Sequence, residues 1–194
     1  MIVLLAATGS VLAACSVLVY LFEIVRRTTR PHRVSWGVWT LIGFLGVAGT
    51  FSAGAGLGVA VFAIDLAGGV VVFALSLTRS YGKPGGHSYD IPLGAAAVVI
   101  LILWQVSHWP PLVAVLSAAL ADALVSLLTL RDAWRAPQSE STAFWSLGSC
   151  AAWLGVLVVH RVTASALIYP VYVASANTLI AGALGVRCLQ RRRA

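Results

Sequence analysis

Residues 31–41 read PHRVSWGVWTL and residues 137–147 read PQSESTAFWSL. Both follow the pattern P-x-x-x-S-x-x-x-W-[TS]-L, at an offset of 106 residues. Each stretch stands between the basic end of one apolar run and the start of the next. The correspondence extends backward. Ser16, Tyr20 and Glu23 are spaced i, i+4, i+7 and so share one helix face, and at the same offset stand Asp122, Ser126 and Thr129. Forward, Thr40 matches Ser146 and Gly43 matches Ser149. Two polar stripes that coincide at one offset are hard to explain by composition, and we read them as a duplication.

The runs around these stretches set the fold class. Apolar residues cluster near 2–25, 34–54, 56–79, 92–108, 111–131, 143–160 and 164–187, each run close to the ~20 residues that cross a bilayer as a helix. The second and third are parted by a Gly-rich turn around Ser52 to Gly56, the fourth and fifth by Trp109, Pro110 and Pro111, where proline suits the first turn of a new helix. Of the 194 residues, 60% are hydrophobic and 10% charged, with a mean hydropathy of +0.94. A soluble domain carries about 25% charged residues to cover its surface, and that cover is missing here. The sequence therefore predicts an all-α integral membrane protein with no soluble domain. The first apolar run lacks a basic n-region and is longer than a signal h-region, so it reads as a retained first helix.

Charge placement supplies the topology. Arg26, Arg27, Arg30 and Arg33 follow the first run; Arg79 and Lys83 follow the third; Arg131 and Arg135 close the fifth; Arg187, Arg191, Arg192 and Arg193 close the seventh. Twelve of the thirteen Lys and Arg thus fall on one side of a seven-span arrangement, with Arg161 alone on the other. Cytoplasmic loops carry the Lys/Arg excess, so a multi-pass cell-membrane protein with its N-terminus outside and C-terminus in the cytoplasm is expected. The net charge of +7 then reads as a topology signal, aided by anionic lipids at the cytoplasmic face, and implies no nucleic acid.

Duplicated halves joined by one odd helix must run in the same direction, with the fourth helix inverting the chain between them. The chain divides accordingly into a first three-helix repeat (residues 1–91), a linker helix (92–110) and a second repeat with a basic tail (111–194). Parallel repeats of this kind occur among transporters. This 3+1+3 plan, with a short polar loop after the first helix of each half, resembles the SWEET sugar facilitators and the wider PQ-loop transporter clan. The resemblance is one of plan more than of letters. Where the clan usually carries a Pro-Gln pair stand Phe22-Glu23 and Leu128-Thr129, and the literal Pro137-Gln138 lies later, inside the loop. The two loops also resemble those of a set of bacterial membrane proteins of unassigned role.

Chemistry-bearing motifs are sparse. There is no G-x-S-x-G, P-loop, H-E-x-x-H or aspartate cluster for a divalent metal, so an enzyme is not expected. His32, His87, His108 and His160 lack ligand spacing, and Cys15, Cys150 and Cys188 stand far apart, reading as buried structural thiols rather than a disulfide or zinc set. The lone lysine, Lys83, lies in a loop, which argues against a retinal Schiff base. No cofactor or metal is implied.

Among the acidic residues, Glu23, Asp90, Asp132 and Glu140 fall at membrane edges or in loops, where pairing with nearby arginine is expected. Asp65 and Asp122 stand mid-helix, with no basic residue within two turns. A carboxylate there costs about 2.5–3.5 kcal/mol by insertion scales and so faces a cavity, a partner or a proton path. The resemblance to SWEET proteins, which place an asparagine on the third helix of each half at the central site, implies that Asp65 and Asn177 would line it. Trp153 could wall the ligand. Asp65, Asp122 and Asn177 are expected to line one central cavity, with at least one of the aspartates taking up a proton during the cycle. Trp36, Trp39, Trp104, Trp109, Trp134 and Trp145 fall near helix ends, as an interfacial aromatic belt would. Pro31, Ser35 and Trp39, with Pro137, Ser141 and Trp145, read either as cytoplasmic hinges or as plain connectors in which Ser35 and Ser141 are N-caps. The functional expectation is a small-solute transporter or facilitator for a small polar solute, the alternative a non-transporting membrane scaffold or accessory subunit.

Overall fold

A computed structural model describes residues 1–52, 58–83, 90–107, 110–159 and 163–193; for 46–52, 58–65, 111, 165, 192 and 193 it describes the backbone alone. The expected Gly-rich turn, His87, His108, Trp109, His160 and Arg161 fall outside these residues.

The described chain is all-helical: α1 (Ile2–Val25), α2 (Arg33–Ser52), α3 (Gly58–Ser76), α4 (Asp90–Ser107), α5 (Pro111–Arg135), α6 (Thr142–Leu157) and α7 (Ala164–Arg193), with a 3₁₀ turn at Pro137–Ser139. Apolar composition and local chemistry explain the boundaries. Pro111 opens α5 after Pro110, a position where its missing N–H costs nothing. Ser141 caps α6 by accepting the Phe144 N–H at 3.0 Å. α5 runs four residues beyond the sequence expectation and α7 six, because their basic ends continue the helix out of the apolar zone. α1 closes with Arg27 in the left-handed region (φ 61), while the Thr28 N–H returns to the Glu23 carbonyl at 3.0 Å.

Among the described residues, four helices are long and apolar enough to cross a membrane: Ile2–Val25, Asp90–Ser107, Leu112–Arg135 and Ala166–Arg191. α6 is shorter, 16 residues, which at about 1.5 Å rise spans roughly 24 Å. The outer surface is apolar to match. Leu4, Val11, Leu18 and Phe22 along α1, and Val99, Ile102 and Val106 along α4, are each more than half exposed, whereas soluble monomers rarely expose an apolar patch beyond a few hundred Å². Cys15, Cys150 and Cys188 also face outward, correcting the expectation of buried thiols. Their small apolar side chains satisfy a lipid-facing helix surface as well as a core, and hydropathy cannot tell the two apart.

Helix neighbours follow a pattern. α3 packs on both α1 and α2, and α7 packs on both α5 and α6. Across the middle, α1 packs on α6 and α2 on α5, while α4 lies against α5 and α2. Exchanging α1, α2, α3 for α5, α6, α7 leaves the first three sets of pairs unchanged. α3 approaches α1 closely at Gly68, where a Cβ would come within 2.7 Å of Val17 Cγ1. Glycine is required there by space.

Candidate functional site

The middle of the molecule is held by one carboxylate and a set of packed aromatic rings. Asp122, on α5, is 6% exposed. Its Oδ1 accepts from Trp39 Nε1 on α2 (2.9 Å), from Ser126 Oγ one turn along α5 (2.8 Å) and from Tyr172 Oη on α7 (3.2 Å). Its Oδ2 accepts from Tyr169 Oη, also on α7 (3.0 Å). Four neutral donors on three helices therefore converge on one carboxyl, and no cation bonds it among the described residues. Tyr169 and Tyr172 flank Pro170, the proline inside α7. The sequence reading missed both tyrosines. Their i, i+3 spacing around a proline within an apolar helix was a readable signal, yet only the fold reveals that they reach Asp122.

Of the other expected site residues, Asp65 sits on α3 with its side chain outside the described atoms. Asn177 lies on α7 facing α6: a Cβ at Gly148 would come within 3.5 Å of its Nδ2. It is five residues beyond Tyr172, about 7.5 Å along the axis at ~1.5 Å per residue. Trp153 is 41% exposed and donates to Thr178 Oγ1 at 3.0 Å. A groove of about 670 Å³ opens between α5 and α7, lined in part by Leu127, Leu130, Trp134, Leu179 and Val186. It lies on the outer, apolar side of the two helices, away from Asp122.

The stripes predicted on α1 and α5 both turn inward. Ser16, Tyr20, Asp122 and Thr129 are buried, with Glu23 and Ser126 partly so. Between them Trp39 and Trp145, which hold the same place in the two sequence patterns, meet with ring centroids 5.8 Å apart and edge to face. Trp36 stacks on Tyr20 at 5.1 Å, and Phe144 bridges Tyr20 (4.5 Å) to Trp145 (5.0 Å). Trp36 and Trp145, 8% and 4% exposed, thus belong to an inner aromatic joint, not to the expected interfacial belt. Tryptophans near helix ends satisfy either role, and here the helix ends converge. Trp134 stays exposed, with the Arg187 guanidinium over its ring.

At the basic end of the bundle the two loops diverge. In the first, His32 Nε2 lies 3.2 Å from Asp90 Oδ2 and its Nδ1 accepts the Ser35 N–H at 3.4 Å. Burial pushes the imidazole below its ordinary range, against the pull of Asp90. Because Nδ1 accepts the Ser35 N–H, the neutral ring carries its proton on Nε2, directed at Asp90. Its ring supplies the N-terminal cap of α2 that was expected from Ser35. Ser35 instead sits inside α2 and donates to the Val125 carbonyl of α5 (3.0 Å), while Thr129 donates to Ser35 Oγ (3.2 Å). Arg131 joins Asp90 (2.8 Å) to Asp132 (2.8 Å), and Lys83 reaches Asp132 at 2.9 Å. These carboxylates pair with basic residues as expected. Glu23 and Glu140 do not follow that expectation. Glu23 accepts from Thr29 Oγ1 (2.9 Å), and Glu140 Oε2 accepts from Trp145 Nε1 (3.1 Å) and Tyr20 Oη (3.3 Å). Sequence proximity to arginines gave no hint that the loop folds inward at Glu140. Among the described residues no cluster of His, Cys, Asp and Glu could hold a metal ion.

Searches against models of protein families, curated proteins and solved structures find no match for this chain.

Proposed function

We propose that the chain is a seven-span membrane transporter for a small polar solute, N-terminus outside and C-terminus cytoplasmic, built from two parallel three-helix repeats joined by α4. Alternating access would take place around Asp122. The observation that carries this reading is the convergence on Asp122 of Trp39 from one half and Tyr169 and Tyr172 from the other. A carboxyl deep in an apolar bundle, held by four hydroxyl and indole donors instead of a cation, can exchange those donors for the hydroxyls of a solute or bind a proton. The symmetric exchange of helix neighbours supports the duplication, and with it the likeness of plan to the SWEET and PQ-loop proteins. Segregation of the basic residues supports the orientation. The packed rings of Trp36, Trp39, Phe144 and Trp145 would then close the cytoplasmic side, with Pro31 and Pro137 as the turns about which the halves rock.

The test is uptake of a panel of sugars, amino acids and organic acids into proteoliposomes, with the parent and Asp122→Asn compared across pH. We expect uptake of at least one solute by the parent, and a loss of its pH dependence in Asp122→Asn. If no solute enters, or if the variant keeps the parent's profile, Asp122 is not the coupling site.

A second reading, a non-transporting scaffold or accessory subunit, draws on one feature: both oxygens of Asp122 are already satisfied within the protein. A dry, saturated polar core is what helix glue requires. Co-purification of a defined partner from native membranes, together with absent uptake, would favour it.

A further inference from the structure

Glu140 lies outside the membrane-spanning helices, between the 3₁₀ turn and α6, yet it is 6% exposed. Its Oε2 accepts from Tyr20 of α1 and Trp145 of α6, so one carboxyl oxygen joins elements that lie 120 residues apart in sequence. Tyr20 in turn accepts from Trp36 Nε1 of α2 at 3.3 Å, extending the chain of bonds into the aromatic joint. The charged and titratable groups around it are Tyr20 from α1, Asp132 from α5 and Lys83 from the segment after α3. Lys83 is engaged with Asp132 at 2.9 Å, and Arg131 with Asp132 and Asp90, so neither cation forms an ion pair with Glu140. Glu23 acts on the site only through Tyr20.

We propose that Glu140 is a proton-binding site that latches the joint between the two halves, holding α1, α2 and α6 together while its carboxyl is neutral and releasing them when it becomes charged. Burial is the main reason the charged form is disfavoured, and the nearby Asp132 adds to it; together they push the Glu140 carboxyl up to about 8 against the hydrogen bonds from Trp145 and Tyr20 and the charge of Lys83. The sign follows from linkage. Between the ordinary carboxylate value of 4.5 and about 8, the folded joint holds a proton that the opened chain does not. Its stabilisation is complete below that window and is lost as pH rises through the folded value. The inference does not use the transport reading and holds whether or not the chain carries a solute.

Two measurements on purified protein, without any solute, test it. Infrared difference spectra should show a protonated carboxylic C=O band at neutral pH that disappears as pH rises past about 8 and is missing in Glu140→Gln. In parallel, acrylamide quenching of tryptophan should rise severalfold across the same pH range in the parent as Trp36, Trp39 and Trp145 become accessible, and stay low in Glu140→Gln, whose amide cannot ionise. Tyr20→Phe removes a donor that favours the charged form, so its transition should move to higher pH. An absent band, a shared quenching profile for parent and Glu140→Gln, or an unmoved transition in Tyr20→Phe overturns the proposal. Should Glu140→Gln fail to fold, the infrared titration of the parent and the Tyr20→Phe shift decide by themselves. Failure of solute uptake would leave these outcomes unchanged, so this site and the transport reading fail separately.

Discussion

The loop from Arg26 to His32 and the loop from Ala136 to Ser141 share a sequence pattern with the helix starts that follow them, yet they are held by opposite means. The first is ionic. His32 faces Asp90, Arg131 ties Asp90 to Asp132, and Lys83 completes the set. The second is aromatic, with one buried carboxyl between Tyr20 and Trp145. The difference begins with where the helix starts. α2 begins at Arg33 and α6 at Thr142, so after correcting for the offset of 106 the first loop yields three residues earlier to helix. That shift draws Ser35 into the helix and leaves His32 as the cap, whereas Ser141 keeps the cap itself. One repeat pattern thus accommodates two chemistries, because a cap requires an acceptor at the right spot and not a particular residue.

The ionic loop should be the more fragile when a partner is removed. Arg131→Met removes the guanidinium that ties Asp90 to Asp132, and breaking such a buried set costs about 3–5 kcal/mol. Tyr20→Phe removes two neutral hydrogen bonds from the aromatic joint, to Glu140 and from Trp36 Nε1, and costs about 1–3 kcal/mol. Unfolding of the two variants in mixed detergent micelles measures the gap. Equal losses would mean that the two joints are not different in kind.

A pH scan sharpens the contrast, because the loops titrate in opposite senses. His32 has its value lowered by burial, so the unfolded chain binds the proton first as pH falls below about 6.5. The first loop therefore keeps its full contribution above that value and loses it as pH falls. We expect His32→Asn to flatten the acid side of the stability curve. Thermal stability measured from pH 5 to 7 checks this, and an unchanged acid limb would remove His32 from the account.

The smallest effects are at the caps. Ser141→Ala should cost about 1 kcal/mol and raise hydrogen exchange at the Phe144 amide, whose acceptor it deletes. Ser35→Ala should cost about 1–2 kcal/mol through the lost bonds to the Val125 carbonyl and from Thr129 but leave exchange at the start of α2 unchanged, because His32 still accepts the N–H at position 35. Faster exchange at the Ser35 amide in that variant would return the cap to Ser35. If either variant also slows solute uptake, these turns act as hinges; a change confined to stability makes them connectors.

Much of this arrangement was legible in the chain. The seven apolar runs matched seven helices because helix-forming apolar segments near bilayer length have few other options. The inward turn of Ser16, Tyr20, Asp122 and Thr129 followed from their i, i+4, i+7 spacing, since side chains at those intervals must share a face. The isolation of Asp122 from any basic residue was likewise readable, because a mid-helix position fixes depth. Three things were settled only by tertiary structure. Trp36, Trp39 and Trp145 became a joint and not a belt, Tyr169 and Tyr172 became partners of Asp122, and Glu140 turned inward although arginines stand nearby in sequence. The physical reason is common to all three. Periodicity specifies which face of a helix is polar, but which face of another helix it meets depends on packing between segments tens of residues apart, and no local pattern encodes that distance.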